Sequence, residues 1–104
     1  MDQSHQISLA IKLLYELQDI YSKENGKNLL PGIQSTIDCL ENKNFSQEER
    51  CINACSIYIN MSSTKCGFSE FYIDGSSVDE RVQKNKRLDE IRESLWNIIF
   101  EWKK

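Results

Sequence analysis

A chain of 104 residues with 39% hydrophobic, 10% aromatic and 28% charged side chains can bury one real core without disulfide staples. Four glycines and one proline leave little room for linkers or low-complexity tails. A net charge of −3 argues against a general nucleic-acid binder, which needs a basic stripe to release counterions from phosphates.

The first residues, Met1-Asp2-Gln3-Ser4-His5-Gln6, carry no basic cluster, and the apolar residues that follow are broken by Lys12 and Glu16. Neither a signal peptide nor a membrane span is expected, which points to the cytoplasm. In "QISLAIKLLYELQDIYSKENG", Ile7, Leu9, Ala10, Ile11, Leu13, Leu14, Leu17, Ile20 and Tyr21 make a wide apolar stripe at helical spacing, with Ser4 as the candidate N-cap and Asn25-Gly26 as the stop. A second helix is expected in "LLPGIQSTIDCLENKN", with Pro31 in its first turn, Ile33, Ile37 and Leu40 on its apolar face, and Asn42–Asn44 closing it. Ser46 and Glu49 form a capping box that opens a third helix, with Phe45 as a candidate staple against the stem of Arg50. Cys51, Ile52, Cys55, Tyr58 and Ile59 share one face of that helix, which should run to about Met61.

Ser77 and Glu80 form a second capping box, before "VDERVQKNKRLDEIRESLWNIIFEWKK". Val78, Val82, Leu88, Ile91, Leu95, Ile98 and Trp102 are expected on one stripe of this last helix, with Trp96 and Phe100 at the core or its edge. Its mixed charges, such as Glu80–Lys84 and Asp89–Arg92, suit a solvated face. The predicted fold is all-α: one domain over residues 1–104, an antiparallel bundle of about four helices with an irregular acidic and aromatic loop before the long C-terminal helix.

The cysteines raise the question of a metal. Cys51 and Cys55 lie one turn apart, and with Cys39 and Cys66 they could supply four thiolates. No close Cys-x-x-Cys knuckle is present, and reduced cysteine is a small, usually buried residue, so core filling is the preferred role. His5 is the lone histidine, near the chain terminus. With no phosphate-binding glycine loop and no nucleophile–base pairing in view, no metal, no cofactor and no catalysis are expected.

Charge is unevenly spread. Residues 38–80 hold eight carboxylates against Lys43, Arg50 and Lys65, a balance of −5, while the rest of the chain has eight against ten basic residues. The stretch "KCGFSEFYIDGSSVDE" concentrates this acidity beside aromatics without helical periodicity. Phe68, Glu70, Phe71, Tyr72, Asp74, Asp79 and Glu80 are therefore the candidate partner-binding residues, because aromatics anchor interfaces and carboxylates steer basic partners. The bland role for the same aromatics is to pin a long connection onto the bundle.

The Cys-rich third helix running into "SSTKCGFSEFYI", followed by "NKRLDEIRESLWNIIFEW", resembles small immunity proteins of bacterial toxin–immunity systems, in particular those of contact-dependent growth inhibition. That resemblance implies a cytoplasmic protein that binds a cognate toxin, often a nuclease, and neutralises it by covering a basic active site. Direct nucleic-acid or membrane binding is not expected. The alternative is a non-enzymatic helical adaptor or regulatory subunit that docks a host protein through the loop or the last helix.

Overall fold

The computed structural model describes residues 2–23, 29–63 and 78–103, and these form an all-α bundle. Four helices run in order: α1 (Gln3–Lys23), α2 (Leu30–Glu41), α3 (Gln47–Ser63) and α4 (Val78–Phe100). Each packs on the next, and α4 closes back on α1. Contacts between neighbours fix an antiparallel sense. Tyr15 meets Glu41 and Gln18 meets Gln34 between α1 and α2, while Glu16 meets Arg87 and Gln6 meets Glu101 between α1 and the α4 end of the chain.

The helix ends follow local chemistry. Asp2 caps α1, its Oδ1 accepting the His5 N–H at 2.8 Å, so the cap lies two residues before the expected Ser4. An aspartate at that position also places a negative charge at the positive end of the helix. Pro31 stands in the first turn of α2 as expected, and Asn42 closes the helix and accepts the Asn44 N–H through its side chain at 3.1 Å. Ser46 caps α3, its Oγ accepting the Glu49 N–H at 3.2 Å, while the Ser46 hydroxyl donates to the Glu49 carboxylate. The helix runs on to Ser63, two residues past the expected end. The Asn25-Gly26 stop, the Ser77 cap, Cys66 and the acidic and aromatic stretch from Phe68 to Asp74 lie outside the described residues.

The apolar faces of all four helices join in one core, with Leu14, Leu17, Ile33, Ile37, Leu40, Leu88, Ile91, Leu95 and Ile99 essentially without solvent contact. Tyr21 and Tyr58 are its largest fully buried side chains. The buried Thr36 satisfies its hydroxyl by donating to the Gly32 carbonyl at 2.9 Å. Gly32 also lets α3 come close: a Cβ there would lie 2.6 Å from the Met61 sulfur. At the other end of that pair, the Arg50 Nη1 donates to the Leu40 carbonyl at 3.3 Å and ties the start of α3 to the end of α2.

Two expectations for α4 are corrected. Val78 and Val82 are 63% and 58% exposed, and do not share the stripe of Leu88, Ile91, Leu95, Ile98 and Trp102. At 100° per residue, Val82 stands nine residues from Ile91 and so faces the opposite way. By the same geometry Phe100, nine residues on the other side of Ile91, points outward, and Trp96 and Phe100 are 38% and 48% exposed. Only Trp102 of the three tail aromatics is core.

Candidate interaction surface

Of the candidate partner-binding residues, Phe68, Glu70, Phe71, Tyr72 and Asp74 lie outside the described residues. Asp79 is exposed in the first turn of α4, and Glu80 follows it in the helix, described through its backbone alone. The surface that can be built atom by atom therefore begins with the rest of the acidic middle.

Asp38 and Glu41 project from the exposed side of α2, because the core face of that helix is taken by Ile33, Ile37 and Leu40. Tyr15 reaches them from α1. Its hydroxyl donates to Glu41 Oε1 at 2.7 Å, and Gln18 donates to Gln34, which donates in turn to Asp38 Oδ1 at 2.8 Å. The Glu41 hydrogen bond, then burial, then the charges of Glu41 and Asp38 hold the Tyr15 hydroxyl above its ordinary pKa, since ionising it would set an anion beside carboxylates. Glu48 and Glu49 continue the acidic surface at the exposed start of α3. Tyr15 was not among the sequence candidates. The signal was there: it falls off the apolar stripe of α1, and a large side chain at such a position is left for the surface.

A second feature is a groove of ≈ 470 Å³ between α3 and the end of the chain, lined by Ile52, Cys55, Ser56, Ile59, Asn60, Trp102 and Lys103 among the described residues. The Trp102 indole is fixed at its edge by donating to Gln6 Oε1 at 3.1 Å, and Gln6 donates to Glu101 at 2.6 Å. Beside it, Trp96 and Phe100 stack at 5.5 Å between ring centres, and the Lys103 ammonium stands 5.5 Å over the Phe100 ring.

The thiols have a packing role. Cys51 and Cys55 are buried in the core and Cys39 is half-buried against it. Burial raises all three thiols, Cys51 to about 11, so they are neutral at physiological pH. Among the described residues no group of three or more His, Cys, Asp or Glu side chains converges as a metal would require. His5 is exposed on the first turn of α1. Among the described residues no helix is long and apolar enough to cross a membrane.

Compared with protein-family models, with curated proteins and with solved structures, the chain matches none.

Proposed function

We propose that this protein is an immunity protein that binds a cognate toxin, a nuclease with a basic active site, and neutralises it by occupancy, with no catalytic step of its own. The observation that carries this reading is the charge distribution. Residues 38–80 have a balance of −5, and Asp38, Glu41, Glu49 and Asp79 are exposed with no cationic partner among the described residues. Exposed carboxylates without a cationic partner are available to steer and match a basic surface. A site that handles phosphate is basic, so an acidic protein seated over it stands in for the substrate's charge and excludes nucleic acid. The proposed centre of the contact is the stretch from Phe68 to Glu80, with Glu70 and Asp74 facing basic groups and Phe71 or Tyr72 as the buried anchor.

The test begins with capture of the partner from the native host and its identification, followed by calorimetry against it. Glu70→Gln with Asp74→Asn should weaken binding by about 2–5 kcal/mol, as expected for charges that face buried partners. An equal charge change elsewhere, Asp19→Asn with Glu90→Gln, should do little. Association with the wild type should also slow markedly as salt rises. Equal affinities for both double variants would refute the proposed contact, and a partner without a basic surface would favour the adaptor reading.

A further inference from the structure

The corrected positions of Val78, Val82, Trp96 and Phe100 define a second apolar stripe, on the outside of α4. Val78 and Trp96 are eighteen residues apart, as are Val82 and Phe100, which is five full turns, so all four share one exposed face. Between the two apolar ends lie Lys86 and Glu93, seven residues apart on the same face and both exposed. Neither has an intramolecular ion pair among the described residues. The remaining acids of this part of α4 are already matched: Asp89 pairs with Arg92 at 2.7 Å, and Glu90 with Arg87 at 3.5 Å.

This pattern is self-complementary in one direction only. We infer that the outer face of α4 docks a second copy of the same face, antiparallel, across a two-fold axis near Asp89 and Glu90. In that register Lys86 of each copy meets Glu93 of the other, giving two reciprocal ion pairs. Val78 and Val82 of each copy then lie against Phe100 and Trp96 of the other, which covers the stacked aromatics. A parallel arrangement would set Lys86 on Lys86 and Glu93 on Glu93, so the charge order selects the antiparallel one. Such a pairing is isologous and closes as a dimer without propagating.

The area limits its strength. A 23-residue helix is about 35 Å long, and a face about 10 Å wide buries about 350 Å² per copy, well short of the ~800 Å² per partner of stable complexes. The dimer is therefore reversible, with a dissociation constant above ~1 μM. The test of this self-association uses the free protein and needs no toxin.

Sedimentation equilibrium of the full chain at low salt, from micromolar to millimolar concentration, reads the proposal directly. The wild type should pass from monomer to dimer. Lys86→Glu and Glu93→Lys should each weaken the dimer at least about tenfold, because both reciprocal pairs turn repulsive. An equimolar mixture of the two single variants should recover dimer as a heterodimer, since both contacts become attractive again. Trp96→Ala should weaken association without changing the charge pattern, and Asp19→Lys, an equal charge change on α1, should leave it intact. Circular dichroism on each variant checks that the helices persist. A wild type that stays monomeric throughout would overturn the proposal. So would a dimer indifferent to the charge swaps, or a mixture that dimerises no better than its components.

Discussion

Cys51 shows how a single residue couples burial to pH. It is 1% exposed, and loss of hydration pushes its thiol up to about 11, with the Arg50 charge opposing the shift and Cys55 adding to it. A pKa raised in the folded state means that the folded protein holds the proton more tightly than the unfolded chain. The resulting stability is fully present below the ordinary thiol value and is lost as pH rises toward 11. Tyr58, raised first by burial, shifts in the same direction and extends the loss above the ordinary phenol range. Urea midpoints should therefore be insensitive to these groups near neutral pH and fall progressively above about pH 9. Cys51→Ala should flatten part of that decline. A wild-type midpoint unchanged through the alkaline range would contradict the burial of these groups.

At the scale of the helix, caps and stripes obey different rules. Ser46 and Glu49 satisfy one another locally, so the start of α3 is set by four consecutive residues and survives in any context that leaves it exposed. Ser46→Ala removes an acceptor for the Glu49 N–H and should cost about 1 kcal/mol in chemical denaturation. A loss below a few tenths would mean that water replaces the cap without penalty. The α4 stripe is less local, because which side is inside depends on where neighbours sit. Val78 and Val82 are spaced correctly for a helical face, yet the step from Val82 to Leu88 is six residues and turns that face away from the core. The two valines and the two outward aromatics thus belong to one face, and the buried series to the other.

Across the whole molecule, α4 is tied to α1 at mid-length by Arg87. Its Nε and Nη2 donate to the two oxygens of Glu16 at 2.6 and 2.8 Å, a fork geometry that suits a guanidinium. Both side chains are well exposed, 49% and 38%, so screening limits the contribution. A double-mutant cycle on Glu16→Gln and Arg87→Gln should return a coupling of at most about 1 kcal/mol, falling with added salt. The arginine holds the Glu16 carboxyl below its ordinary pKa. Whatever it contributes is therefore present above the ordinary carboxylate range and is lost as pH falls through the lowered value. The bundle should depend far more on its apolar centre: Leu14→Ala, at a fully buried position, should cost about 2–5 kcal/mol by urea denaturation. A Leu14→Ala loss no larger than the Glu16–Arg87 coupling would reverse that ranking.

Much of the architecture is local information, and local information is legible in the residue order. The 3.6-residue period of Ile7, Ala10, Leu14 and Leu17, the proline at the start of α2 and the Ser46–Glu49 box each act within a few residues, so they identify α1, α2 and α3 without reference to anything distant. Other features arise between helices. Tyr15 joins Glu41 because α1 and α2 lie side by side, and Gly32 admits Met61 because α2 and α3 approach closely. The outward direction of Trp96 and Phe100 was implicit in their phase relative to Ile91, but aromatics near a chain end read equally well as core until the buried side of α4 is known. The acidic and aromatic stretch has no periodicity to carry such a reading, and Phe68, Glu70, Phe71, Tyr72 and Asp74 lie outside the described residues. Helical period therefore identified the four helices from sequence alone, and the Ser46–Glu49 box the start of α3. Only the tertiary packing decided which apolar residues of α4 became core and which became surface, because burial belongs to the relation between helices and not to any one of them.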